Sequence, residues 1–122
     1  MHSVAIASRS FSKHPILRNK VLEYYPDAKF NDEGLSLSGD SLVSFLGGYE
    51  MAITALETID ESILSKLPDL RVIGKYGVGL DMIDLQAMNK YGIKLGWTGG
   101  VNKRSVSELV VSFAIYLLHR VA

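Results

Sequence analysis

Cysteine is absent from this chain, which excludes a disulfide framework, thiolate zinc sites and thiol catalysis together. Net charge is absent as well. Thirteen basic and thirteen acidic side chains cancel, so no overall field draws the protein onto nucleic acid or an anionic membrane. No apolar run is long enough for a membrane span: the longest, Leu109 to Leu118, contains Ser112 and falls well short of the ~18 residues required. The opening Met-His-Ser-Val-Ala-Ile-Ala lacks the charged region and long apolar stretch of a signal peptide, so a cytoplasmic protein is the expectation. Low-complexity segments and short internal repeats are missing too.

What remains is globular composition, 48% hydrophobic and 21% charged over 122 residues, one domain's worth of chain. Partners are expected among small molecules and proteins. Strand-like and helix-like patterns alternate along it. Val4-Ala-Ile-Ala reads as a buried first strand followed by a Ser/Arg/Lys-containing connection. Pro15 opens a helix with Ile16, Leu17, Val21, Leu22 and Tyr25 at helical spacing, ended by Pro26 and Asp27. Ala28 to Asn31 is a second strand, and Asp40 is expected to cap a helix carrying Leu42, Val43, Phe45 and Leu46. Gly47 and Gly48 close that helix before a strand from Tyr49 to Leu56. Asp60 caps Glu61 to Lys66, Pro68 stops it, and Leu70 to Gly74 is the fourth strand. Asp84 caps a helix through Tyr91, Gly92 ends it, and Ile93 to Thr98 is the fifth strand. Five such alternations predict an α/β fold, a flavodoxin-sized, doubly wound parallel sheet with helices on both faces.

The richest stretch is Arg71 to Asp84. Gly77 and Gly79 leave the backbone bare on both sides of Val78, where N–H groups can approach a small anion. Two readings are open: an anion cradle, or a tight strand-to-helix connection that needs glycine for its dihedrals. In a doubly wound sheet the Tyr76–Gly79 loop and the Gly99–Ser105 loop fall on the carboxyl edge, where ligands gather. Their backbone donors, with the Asn102 amide, can hold a carboxylate and an adjacent oxygen. Lys75 or Arg104 can add charge, although a single exposed cation is more often only solvated.

Other chemistry is poorly represented. Gly77-Val-Gly79 fails as a dinucleotide fingerprint because Met82 takes the third glycine position and no acidic residue follows about 20 positions on. No phosphate-loop motif is present, and His2, His14 and His119 form no ligand pattern. Asp81 and Asp84 read more simply as a turn residue and a helix cap than as an acid–base pair. Ser105 is a cap before it is a nucleophile, and Trp97 fits a pocket wall or a core contact. Ser105-Val-Ser-Glu108 is a capping box that opens a last helix, and the apolar circumference from Leu109 to Leu118 calls for cover by another subunit or domain.

Leu70 to Leu85, then Tyr91-Gly-Ile, then Thr98-Gly-Gly-Val-Asn-Lys-Arg-Ser-Val-Ser-Glu-Leu together resemble the D-isomer-specific 2-hydroxyacid dehydrogenases, nearest to the phosphoglycerate dehydrogenase type. The likeness is dense from about Ile59 onward. It implies a flavodoxin-like substrate-binding (catalytic) domain over residues 1–103, with residues 104–122 as a bridging helix into a Rossmann domain that lies beyond this sequence. It further implies substrate contacts at Tyr76, Gly77, Val78, Gly79 and Asn102, and cofactor contacts at Val78 and Val106, with NAD as cofactor. The partner is then a small 2-hydroxy or 2-keto acid, with homo-oligomerisation through the last helix. No catalytic residue of the family falls in this chain, so the 122 residues alone are expected to be inactive. Gly99 stands where the family commonly has proline, and no arginine near Thr54 to Glu57 matches the one some phosphoglycerate dehydrogenases use for phosphate. A non-catalytic carboxylate-binding or dimerisation module is the alternative.

Overall fold

The computed structural model of the protein describes residues 3–76 and 81–97. Within them the chain runs β1 (Val4–Ile6), α1 (Arg9–Lys13), α2 (Pro15–Tyr24), β2 (Lys29–Phe30), α3 (Gly39–Leu46), β3 (Met51–Thr54), α4 (Glu61–Leu64), β4 (Val72–Lys75), α5 (Leu85–Lys90) and β5 (Lys94–Trp97). The five strands form one all-parallel sheet in the order β2-β1-β3-β4-β5. This is the flavodoxin-like, doubly wound arrangement expected from the alternating pattern.

The strands carry continuous apolar runs because both faces of the sheet are covered. Val4, Ile6, Met51, Ile53 and Val72 face one way, against Phe11 of α1 and Leu17 and Val21 of α2. Ala5, Ala7, Ala52 and Ile73 face the other way, against Leu42 and Leu46 of α3, Ile63 and Leu64 of α4, and Ala87 and Met88 of α5. The two faces differ in side-chain size. Three alanines on the second face let its helices sit close to the sheet, and a larger residue at fully buried Ala52 would overpack that layer at a cost of about 1–3 kcal/mol.

Caps set most of the helix starts. Asp60 accepts from the Ile63 N–H at 3.0 Å and Asp84 from the Ala87 N–H at 3.0 Å, as the sequence predicts. Gly92, at φ 69°, takes the left-handed conformation just past α5 that an L side chain disfavours.

Three local expectations change. The cap of α3 is Ser38 rather than Asp40: the Ser41 hydroxyl accepts from the Ser38 N–H at 3.0 Å and donates to its carbonyl at 2.8 Å. Asp40 sits in the first turn, where its charge complements the helix dipole, and pairs with Lys66 at 3.5 Å. The connection after β1 contains a helix, α1, capped by the Ser8 hydroxyl accepting from the Phe11 N–H at 3.2 Å. Five residues are too few to show a helical period in sequence. Finally, β3 spans only Met51–Thr54, all four residues pairing with β4 and the first three also with β1. Among the described residues no helix is long and apolar enough to cross a membrane.

Candidate functional site

All five strands point the same way, so their carboxyl ends share one edge. The chain leaves β1 toward β2 on one side and later continues from β3 to β4 and β5 on the other. Connections therefore diverge between β1 and β3, and this is where doubly wound sheets open a crevice. A cavity of about 410 Å³ occupies that place. Ser8, Arg9, Ser10 and Lys13 line it from one side, Ser36 and Leu37 from the connection after β2, and Ala55 to Glu57 from the loop after β3.

Beside this crevice, β4 delivers Lys75 and Tyr76. The Tyr76 N–H donates to the Thr54 carbonyl at 2.8 Å, and the Tyr76 ring meets Phe11 edge-on, with centroids 5.3 Å apart and planes at 87°. Two neighbours thus fix where the chain leaves the sheet. Residues just after position 80 are held as well: the Ile59 N–H donates to the Met82 carbonyl at 2.8 Å, and the Asp84 N–H donates to the Ile59 carbonyl at 2.8 Å. Residues 54–59, on the segment leaving β3, therefore hold both flanks of residues 77–80.

Lys75 corrects the sequence reading. It was expected as an exposed cation available to an anion, yet the residue is only 1% exposed, because β4 is flanked on both sides and covered by helices. Its Nζ donates to the Tyr76 carbonyl at 3.2 Å. Burial pushes the ammonium below the usual lysine range, and the Glu57 carboxylate partly opposes that shift. Glu57 also accepts from the Ala55 N–H at 2.7 Å, which ties the loop after β3 to itself.

Of the residues singled out in sequence, Tyr76 and Lys75 lie at the carboxyl edge, and Asp84 is a helix cap with Asp81 exposed in a turn. Gly77, Val78 and Gly79 lie outside the described residues, as do Asn102, Arg104, Ser105, Val106, His119 and the span Leu109 to Leu118. His14 caps α2, its Nδ1 accepting from the Leu17 N–H at 3.4 Å.

Two features of the edge escaped the sequence reading. Arg9 and Lys13 stand in the β1/β3 crevice. Their signal was positional: cations directly after the first strand of a sheet whose order reverses there. Asn31 is the other. Its side chain is buried and bonds Ala7 and Leu35, bracing the wall that carries Ser36 and Leu37.

Residues 4–114 match the family model "D-isomer specific 2-hydroxyacid dehydrogenase, catalytic domain". Over 62 residues the chain is 41% identical to (S)-sulfolactate dehydrogenase of Chromohalobacter salexigens, an alignment covering 51% of this chain and 20% of that protein. Over 61 residues it is 34% identical to glyoxylate/hydroxypyruvate reductase A HPR2 of Arabidopsis thaliana, covering 50% and 20%. A solved structure from Polaromonas sp. JS6 66, described as a D-isomer specific 2-hydroxyacid dehydrogenase, NAD-binding, superposes with a TM-score of 0.71 at 26% identity, over 78% of this chain and 29% of that one. The match thus spans about a fifth of each curated relative.

Proposed function

The chain belongs to the D-isomer specific 2-hydroxyacid dehydrogenase family, whose redox cofactor is NAD, and from that premise we propose that it is the substrate-binding part of such an enzyme. The observation that carries the proposal is the frame at the end of β4. Tyr76 is held to Thr54, and Met82 and Asp84 are held to Ile59, so both flanks of the Gly77-Val78-Gly79 segment are anchored to the same stretch of chain. A carboxylate bound by backbone N–H groups needs donors that do not move, since reorganising them costs much of what the bonds contribute.

In this reading the N–H groups of Val78 and Gly79 take the carboxylate of a 2-hydroxy or 2-keto acid, and Tyr76 closes one side. Asn102 adds a side-chain donor, and Val78 and Val106 face the nicotinamide. Among the described residues nothing forms a dinucleotide site. The turn after β1 contains Ser8 and Arg9 where a glycine-rich turn would be needed, and Met82 replaces the third glycine after β4. The greater part of the NAD site, the arginine that orients the acid and the proton-handling imidazole are accordingly assigned to a Rossmann domain reached through residues 104–122. Hydride exchange at C2 of the acid is the chemistry that NAD supplies when bound. This chain's own part is to hold the carboxylate and present C2 at a fixed angle. The segment Leu109 to Leu118, apolar except at Ser112, is in this reading the part that joins two copies or two domains.

Steady-state assays of the full-length protein with NAD and a panel of D-2-hydroxy acids test the reading. NADH formation with at least one acid, lost when Gly79 is changed to Val, is the expected result, and the isolated 122 residues should form none. A folded full-length protein inactive on the whole panel would overturn it.

A further inference from the structure

The β1/β3 crevice carries a charge arrangement that the carboxylate cradle does not use. Arg9 and Lys13 are four residues apart on α1, hence on one face of it, and both line the cavity. Elsewhere Arg18 is paired with Asp32, Lys66 with Asp40 and Lys90 with Glu61. Arg9 and Lys13 have no such partner among the described residues. Lys13 is also placed with care: its Nζ lies against the bare backbone of Gly34, where an added Cβ would stand 3.2 Å from it. Gly34 holds a left-handed φ of 66°, so the position disfavours any side chain that would fill the space.

We propose that this crevice binds a tetrahedral oxyanion, a sulfonate or a phosphate, carried at the far end of the 2-hydroxy acid, with Arg9 and Lys13 as its ligands. The proposal deepens the functional reading above and rests on it. Geometry sets the reach. Neighbouring strands lie ~4.8 Å apart, so the middle of the β1/β3 crevice is about 7 Å from the axis of β4, roughly the span of a three- or four-carbon acid with a charged group at each end. Chemistry sets the class. A guanidinium fork takes two oxygens of an oxyanion, and an ammonium approaching from another side takes a third, which a planar carboxylate does not have. Ser10 and Ser36 also line the crevice from opposite walls, the Ser10 hydroxyl sharing a 3.3 Å hydrogen bond with that of Ser8.

Glu57 also lines the crevice, and its charge opposes an anion there. That charge is drawn the other way: one oxygen accepts from the Ala55 N–H, and the buried Lys75 ammonium interacts with it. Two uncommitted cations therefore face the cavity against one carboxylate already engaged.

The test compares kcat/KM of the full-length protein for (S)-sulfolactate, 3-phospho-D-glycerate and D-glycerate with NAD. One of the two oxyanion-bearing acids should be preferred over D-glycerate, and which one identifies the group. Arg9→Gln and Lys13→Gln should each lower kcat/KM for that acid about 10- to 100-fold while changing D-glycerate by less than about threefold. Arg9→Lys should recover part of the loss, and Glu57→Gln should raise kcat/KM for the charged acid alone. Preference for D-glycerate, or equal losses on all three acids, would overturn the proposal while leaving the dehydrogenase reading intact. Inactivity on every acid would remove both.

Discussion

Asn31 holds the end of β1 through Ala7: its Nδ2 donates to the Ala7 carbonyl at 3.0 Å and to the Leu35 carbonyl at 2.8 Å, while its Oδ1 accepts from the Leu35 N–H at 3.0 Å. Its own N–H donates to the Ser12 hydroxyl at 3.0 Å and to the Ile6 carbonyl at 3.1 Å. Side chain and backbone of one residue thus join β1, α1 and the loop after β2, three of the elements around the crevice. Removing the side chain would take these partners from the buried Ala7 carbonyl and from the part-buried N–H and carbonyl of Leu35.

Asn31→Ala is accordingly expected to cost about 2–4 kcal/mol, since each buried group left unsatisfied costs about 1–3. Urea denaturation checks this, with a lower midpoint at unchanged slope. Asn31→Asp, isosteric but unable to donate, should lose much of the same stability at neutral pH. A loss under 0.5 kcal/mol for both variants, on the order of a neutral surface change, would show that the network is not what holds the wall.

Tyr25 gives an alkaline prediction. Its hydroxyl is enclosed without a partner among the described residues, and burial pushes it from 10.0 to about 12. The unfolded chain therefore releases this proton first, and between those pH values stability falls as pH rises. Tyr25→Phe should abolish that fall and, by removing an unpaired buried hydroxyl, leave stability at neutral pH unchanged or raised by up to about 1 kcal/mol. Tm measured against pH for both proteins decides it.

Lys75 acts with the opposite sign. Its ammonium is held below its ordinary 10.5 in the folded protein, so below that value the unfolded chain binds the extra proton and stability rises with pH. The rise stops at the unfolded pKa. Lys75→Met should remove this slope, giving a variant whose stability relative to the parent is greatest near neutral pH and declines toward the alkaline end. Parallel pH profiles for the two proteins would contradict the burial argument.

Asp84 separates capping from catalysis. Asp84→Ala should cost about 1 kcal/mol, and Asp84→Asn, which keeps an oxygen for the Ala87 N–H, should cost only a few tenths. In the full-length protein Asp84→Asn should retain kcat within about twofold, because general acid–base groups contribute roughly 10²–10⁴. A drop on that larger scale would make Asp84 a reacting group rather than a cap.

Much of this was legible in the residues themselves. Continuous apolar strands and intervening helical periods required a parallel sheet covered on both faces, and Asp60, Asp84 and Gly92 marked helix ends through local chemistry alone. Short-range effects of this kind depend on neighbours within a turn, so sequence determines them. The α3 cap was displaced by two residues because Ser38, Asp40 and Ser41 all suit a helix start, and only the bonded geometry selects among them.

What the sequence could not decide was which charges share a place. Lys75 reads as a surface cation until β3 and β5 close around β4 and bury it. Arg9 and Lys13 read as a solvated connection until the order β2-β1-β3 sets them across a cavity from Glu57, 44 residues further along than Lys13. Burial and charge proximity depend on distance in space, and pairing of strands far apart in the chain is what sets that distance.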